Sequence, residues 1–137
     1  MKIFELPSEH GHLRGAIWDN VENPKGTIQI AHGLVEYHDR YDEFAKFLNE
    51  HGYIVYCNDH LGHGLHVKKG ELKGYFADEN GYEAVVDQLA EMNSVIRKAH
   101  PSLNHFFIGH SLGTALGLSF LKRNISFEAV ILSAPFT

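Results

Sequence analysis

A glycine–serine turn between an apolar strand and an apolar helix constrains this chain more than any other feature. The turn is Gly109-His110-Ser111-Leu112-Gly113, a G-x-S-x-G pattern. Phe106-Phe107-Ile108 precedes it, and a helical apolar segment from Leu112 to Leu121 follows it. This context is typical of a nucleophile elbow, in which the serine has strained backbone geometry and projects above the sheet. Glycines flank the serine because side chains there would collide with the neighbouring strand and helix.

The same residues also allow a plainer interpretation, a Gly/Ser turn that starts a helix with a serine cap. A bare G-x-S-x-G arises often by chance, but the strand before it and the helix after it favour the elbow. We therefore take Ser111 as the candidate nucleophile and Gly109, His110 and Gly113 as the residues that shape the turn.

A nucleophilic serine requires a histidine base and an acid that orients the base. On the fold that carries this turn they follow in the chain order Ser, Asp or Glu, His. No histidine follows His110, and Glu128 is the only acid after Ser111. We therefore expect neither the triad acid nor its histidine in this chain, and an isolated chain that is nearly inactive. His32 and His110 are the first residues to test as a substitute base.

Strand and helix patterns alternate along the whole sequence. The predicted strands are 13–18, 27–32, 53–57, 106–108 and 129–133, and the predicted helices run over about 40–51, 81–99 and 112–123. This alternation predicts an α/β fold, with a mostly parallel sheet flanked by helices and joined by right-handed crossovers. We expect one domain over residues 1–137, or the first part of one.

Composition excludes several classes of protein. The chain is 44% hydrophobic with a net charge of −5, which is typical of one soluble globular domain rather than a nucleic-acid-binding protein. No apolar run approaches 18 residues and residues 1–7 lack a signal-peptide core, so neither a transmembrane helix nor a leader is predicted. The single Cys57 lies in an apolar run, which predicts a buried thiol and a cytoplasmic, reducing location.

Three histidines with a spacing of three lie in the glycine-rich segment 59–66. They are His60, His63 and His66. Imidazoles are good zinc ligands, but no cysteine or clustered carboxylate set accompanies these three. Structural packing of a loop is the favoured interpretation, and we expect neither a metal nor a cofactor.

A reaction at Ser111 would also need hydrogen-bond donors for the negative oxygen that forms during acyl transfer. One expected donor is the backbone N–H of Leu112, the residue after the nucleophile. The second comes from the loop after a central strand, where His32-Gly33-Leu34 follows the predicted strand 27–32. The N–H of Leu34 is the candidate. A simple strand-ending turn explains Gly33 alone about as well.

Four segments together resemble the monoacylglycerol lipase and lysophospholipase branch of the α/β-hydrolases. They are residues 32–41 (HGLVEYHDRY), 59–64 (DHLGHG), 109–113 (GHSLG) and 132–135 (LSAP). The resemblance covers about residues 13–137. It implies a serine hydrolase of carboxylic esters of acyl glycerols, lysophospholipids or similar lipids. It further implies Ser111 as nucleophile, Leu34 and Leu112 as oxyanion donors, and a structural 59–64 loop.

The resemblance also implies an acid, a histidine and a cap that follow later in such proteins. The chain is therefore expected to be the N-terminal part of one α/β-hydrolase domain, truncated before the strands that carry the acid and the histidine. Two alternatives stay open: a silent fragment that acts as an assembly or binding module, and a peptidase or thioesterase on the same scaffold. We expect a small-molecule ester or lipid substrate. We also expect the 129–133 strand to form an apolar edge that pairs with a second copy or a C-terminal segment.

Overall fold

A computed structural model describes residues 1–135, in which a six-stranded sheet is flanked by helices. The strands are β1 (Lys2–Ser8), β2 (Gly11–Trp18), β3 (Gly26–Ala31), β4 (Tyr53–Asn58), β5 (Asn104–His110) and β6 (Ala129–Ser133). The helices are α1 (Asp42–Glu50), α2 (Leu65–Lys68), α3 (Gly81–Ala99) and α4 (Leu112–Leu121), with a 3-10 turn at His38–Tyr41. The predicted α/β class is confirmed. Phe136 and Thr137, the end of the predicted 1–137 domain, lie outside the described residues.

The sheet is parallel where it carries the predicted turn. Its strand order is β1-β2-β4-β3-β5-β6, in which β4, β3, β5 and β6 run parallel and β1, β2 and β4 pair antiparallel. The carboxyl ends of parallel strands meet at one edge of a sheet. The loops that follow β3, β4 and β5 therefore converge at that edge.

Apolar side chains of neighbouring strand positions pack on opposite faces of the sheet. Phe107 of β5 packs with Leu116 and Phe120 of α4, in a cluster that also includes α3. The next residue, Ile108, packs in the cluster that contains Ala45 of α1. The sheet is thus covered on both faces, which explains why β4 reads as a nearly continuous apolar run.

The structure adds elements that the sequence patterns did not predict. β1 pairs with β2 over Lys2↔Ile17 to Ser8↔Gly11, and it is an edge strand without a fully buried residue. It also contains Pro7, a residue that argues against a central strand. The short α2 was not predicted either. The last predicted helix ends at Leu121 rather than Arg123, and the predicted strand 27–32 lies at Gly26–Ala31.

No helix within residues 1–135 combines the length and the apolar character needed to cross a bilayer.

Candidate active site

Ser111 lies at the sharp turn between β5 and α4. Its backbone has φ 49° and ψ −115°, in a region that residues with a Cβ rarely adopt. The turn is held on both sides of the serine. Ser111 N–H donates to the Ser133 carbonyl at 3.0 Å, and Thr114 donates to the Ser111 carbonyl through its N–H at 2.8 Å and its hydroxyl at 2.7 Å. Such strain persists only where surrounding contacts determine the geometry.

The two outer glycines of the turn allow α4 to approach the sheet. A Cβ on Gly113 would overlap the carbonyl oxygen of Ala31 at the end of β3. A Cβ on Gly109 would lie 2.6 Å from the carbonyl oxygen of Gly113. Both contacts are with backbone atoms, which cannot move aside. The G-x-S-x-G spacing is therefore a packing requirement of the strand–turn–helix unit.

The loop after β3 lies directly beside the serine. A Cβ placed on Gly33 would be 3.3 Å from Cβ of Ser111. Glu36, which the sequence analysis did not single out, closes this loop. Its Oε2 accepts hydrogen bonds from Gly33 N–H and from the Tyr41 hydroxyl, both at 2.8 Å. Burial, and then the contact with Glu36, raise the pKa of Tyr41.

The two amides expected to form an oxyanion hole are Leu34 N–H and Leu112 N–H. Leu112 is the first residue of α4, where backbone donors have no partner within the helix. Within residues 1–135, neither amide donates to a protein acceptor. Leu34 is 59% exposed, and the next residue, Val35, has φ 56°.

Two buried histidines join the loop after β3 to the loop after β4. His60 N–H donates to His32 Nε2 at 2.9 Å, and His60 Nε2 contacts the His32 carbonyl at 2.8 Å. His32 Nδ1 lies 2.8 Å from the Gly33 carbonyl oxygen. Burial lowers the pKa of His60 to about 4 and lowers the pKa of His32 well below its usual value. Since both nitrogens of His32 contact the backbone, this ring is not placed to act as a base.

The remaining histidines of segment 59–66 contact the chain itself. His63 Nδ1 lies 3.0 Å from the Leu61 carbonyl, and His66 Nε2 lies 3.2 Å from the Asp59 carbonyl. The buried Asp59 carboxylate accepts from the His38 amide at 2.8 Å and the Leu65 amide at 2.9 Å. These contacts accord with a loop whose polar groups serve its own folding.

Potential metal ligands cluster elsewhere in the described chain, at Glu9, His10 and Asp87. The Arg123 guanidinium contacts the Asp87 carboxylate. The guanidinium already neutralises part of the negative charge that would attract a metal ion.

No side chain within residues 1–135 hydrogen-bonds to the Ser111 hydroxyl. His110 is partly exposed, with Nδ1 at 3.3 Å from Ser133 Oγ and Nε2 at 4.0 Å from Glu36 Oε1. Glu128 N–H donates to the His105 carbonyl near the start of β5. Glu128 therefore lies at the amino ends of the parallel strands, whereas Ser111 lies at their carboxyl ends. The described residues thus place the loop after β3 beside the candidate nucleophile, without a base hydrogen-bonded to its hydroxyl.

A groove of about 510 Å³ adjoins the loop after β3, and the sequence patterns gave no sign of it. It is lined by apolar side chains and by two lysines. They include Leu34, Val35, Tyr37, Val67, Lys68 and Lys73. Lys68 Nζ lies 5.8 Å from the centre of the Tyr37 ring. A ligand in this groove would meet apolar surface, the two lysines and Glu36.

Known proteins are similar to this chain in sequence and in fold. Rat monoglyceride lipase is 30% identical over 119 residues, which cover 86% of this chain and 37% of the rat protein. A monoglyceride lipase homolog of monkeypox virus is 32% identical over 134 residues, 97% of this chain and 46% of the viral protein. A thermostable carboxyl esterase from Bacillus coagulans, 24% identical, superposes with a TM-score of 0.87 over 96% of this chain and 43% of the esterase.

The chain spans less than half the length of each of these relatives. The structural similarity to the esterase establishes only the fold, which is the α/β-hydrolase fold. A family model described as serine aminopeptidase S33 (Hydrolase_4) matches residues 22–137, nearly the whole chain. The expected kinship with the monoacylglycerol lipase branch is confirmed by these matches, and the chain belongs to the Hydrolase_4 family of α/β-hydrolases.

Proposed function

We propose that this chain carries the nucleophile and the oxyanion hole of a serine hydrolase that cleaves carboxylic esters of the monoacylglycerol or lysophospholipid type. One observation supports this most directly. Ser111 occupies a strained turn beside Gly33, and the backbone amides of the residues that follow each of them, Leu112 and Leu34, have no protein acceptor within residues 1–135.

The chemistry follows from those groups. The Ser111 hydroxyl attacks the ester carbonyl carbon while a histidine takes its proton, and the carbonyl oxygen becomes negatively charged. Leu34 and Leu112 N–H stabilise that oxygen, each donor contributing about 2.7–4 kcal/mol to the transition state. The alcohol then leaves with the proton from the histidine, and water releases the acyl group by the reverse steps. The acid and histidine are not among residues 1–137, and the route requires no cofactor.

The proposed substrate class rests on relatives and on the groove. Three relatives, from rat, mouse and human, are named monoglyceride lipase, and a phospholipase YtpA of Bacillus subtilis is 29% identical over 118 residues. A groove beside Leu34 with apolar walls suits an ester that carries a hydrocarbon chain. Cytoplasmic location is part of the proposal and rests on Cys57, a buried lone thiol of a kind that suits a reducing compartment.

A peptidase is the second candidate, because the description of the matching family names an aminopeptidase. The elbow and the oxyanion hole would serve an amide as well as an ester. Hydrolysis of monoacylglycerols against hydrolysis of aminoacyl anilides separates the two. Preference for the anilides would favour the peptidase.

The oxyanion role is tested at Leu34 in an active form, either this chain or a longer protein that includes it. Leu34→Ala keeps the N–H and should change activity little. Leu34→Pro removes the N–H and should lower kcat by about 10²–10³. Equal losses from the two substitutions would show that side-chain packing, not the amide, is what matters.

The nucleophile is tested with a fluorophosphonate probe. Without a base the Ser111 hydroxyl is a weak nucleophile, so residues 1–137 alone should be labelled poorly and a longer form well. Ser111→Ala should abolish labelling of the longer form. Rapid stoichiometric labelling of residues 1–137 would refute the expected inactivity and would point to a substitute base.

We further propose that β6 pairs with a second copy of the chain or with a C-terminal segment. Within the described sheet β6 is an edge, where Val130 is 37% and Ile131 59% exposed. An apolar edge strand is a template for pairing with another strand. Light scattering should show association that Ile131→Lys weakens. A monomer at high concentration, or equal association by the variant, would contradict this, and a pairing module without activity would match the silent-fragment alternative.

A further inference from the structure

The proposed oxyanion donor Leu34 N–H belongs to the same peptide group as the Gly33 carbonyl. That peptide bond is trans, so its C=O and N–H point in opposite directions. Two groups contact the Gly33 oxygen: His32 Nδ1 at 2.8 Å and Glu36 N–H at 3.3 Å. Whatever holds the carbonyl therefore also sets the direction of the Leu34 N–H.

The tautomer of His32 follows from its two partners. His32 Nε2 accepts the His60 N–H at 2.9 Å, so this nitrogen carries no proton. The proton of the neutral ring must be on Nδ1, which donates to the Gly33 carbonyl. Neutral imidazole in water prefers the other nitrogen, so the His60 amide selects the form that can hold the peptide.

The neighbouring peptide is held as well. His60 Nε2 lies 2.8 Å from the His32 carbonyl, and Glu36 Oε2 accepts the Gly33 N–H. A rotation of the Gly33–Leu34 peptide would break both bonds to its carbonyl and turn the oxygen toward the side where the N–H now lies. Ser111 is adjacent, since a Cβ on Gly33 would lie 3.3 Å from its Cβ.

We propose that His32 is a positioning residue that fixes the Leu34 N–H for the oxyanion, with His60 selecting the required tautomer. The inference rests on the proposed function for its catalytic meaning. It explains why a histidine that is fully buried, and whose nitrogens both contact the backbone, stands directly before the oxyanion glycine.

The test compares His32→Asn with His32→Gln in the active form of the protein. The Asn amide nitrogen takes about the position of Nδ1 and retains a donor for the Gly33 carbonyl. The Gln amide nitrogen takes about the position of Nε2 and leaves the Gly33 carbonyl without a side-chain donor. Asparagine is smaller than glutamine, so packing loss at this buried site would by itself harm His32→Asn more than His32→Gln, the opposite of the expected order.

We expect kcat of His32→Gln to lie about tenfold or more below that of His32→Asn, with KM little changed. The loss of a whole oxyanion donor, about 10²–10³, sets the upper limit. Equal losses in both variants would mean a structural role only, and parental kcat in both would mean no role. Either result overturns the proposal.

A second measurement does not depend on the stability of variants or on activity. Nitrogen-15 NMR of the parent chain should show the His32 ring protonated on Nδ1 and the His60 ring protonated on Nε2. A His32 ring protonated on Nε2 would overturn the proposal by itself. A parent protein that hydrolyses no ester would defeat the proposed function, while the tautomer would still decide whether the peptide is held.

Discussion

Replacing Ser111 by glycine should stabilise the chain, although the serine is the candidate nucleophile. With φ 49° and ψ −115°, the residue has a conformation that costs a residue with a Cβ about 1–3 kcal/mol. Glycine adopts it without that cost but loses about 0.5–1 kcal/mol more backbone entropy on folding. The net expected gain is about 1 kcal/mol.

Ser111→Ala is the matched control, because alanine keeps the Cβ and therefore the strain. Within residues 1–135 the Ser111 hydroxyl has no hydrogen-bond partner, so its removal alone should change stability little. We expect the free energy of unfolding of Ser111→Gly to be about 1 kcal/mol higher than that of Ser111→Ala. This difference is equivalent to roughly 3–6 °C in Tm for a chain of this size.

Urea denaturation followed by circular dichroism measures the difference, with the midpoint compared at constant slope. If Ser111→Ala is as stable as Ser111→Gly or more stable, the turn is not strained and the elbow argument fails. A slope that differs between the variants would instead indicate a changed unfolded or native state.

Three further predictions concern the same edge of the sheet. Burial lowers the pKa of His60 from about 6.5 to about 4, so as the pH falls the unfolded chain takes up a proton on His60 before the folded chain does. The free energy of unfolding should therefore drop by about 2 kcal/mol between pH 8 and pH 5. The lowered pKa of His32 acts in the same direction. Urea midpoints against pH check this, and a flat profile would contradict it. Gly113→Ala should lower the free energy of unfolding by at least about 3 kcal/mol or prevent folding, because the Cβ of the alanine would overlap the Ala31 carbonyl oxygen. A loss below about 1 kcal/mol in urea denaturation would contradict the close approach of α4 to β3. Val35→Gly should stabilise by about 1 kcal/mol in thermal denaturation, because Val35 has φ 56° and is 72% exposed, whereas an unchanged Tm would show that the loop is not strained there.

The elbow could be predicted because its requirements are local. A serine with positive φ, a glycine two residues before it and another two residues after it all lie within five consecutive positions. The apolar strand before it and the apolar helix after it are equally short-range signals. β1 was missed for a different reason: it is an edge strand whose apolar side chains, among them Phe4 and Leu6, are only partly buried.

The relation between loops could not be predicted from patterns. His32 and His60 are 28 residues apart, and they meet because β4 pairs with β3. In the sequence, Glu36 is an ordinary charged loop residue. Only the fold of the loop brings its carboxylate into hydrogen-bond contact with the Gly33 N–H. No periodicity marks such contacts, since they depend on which strands become neighbours.

The sequence by itself determined the class of fold, the nucleophile turn and the two candidate donors, because each follows from residues close together in the chain. Only the tertiary structure decided that β2 and β3 lie on opposite sides of β4, that Glu128 lies at the opposite ends of the strands from Ser111, and that two buried histidines join the loops after β3 and β4. The physical reason is that local geometry is encoded within a few residues, whereas the partner of a buried polar group is set by the packing of the whole sheet.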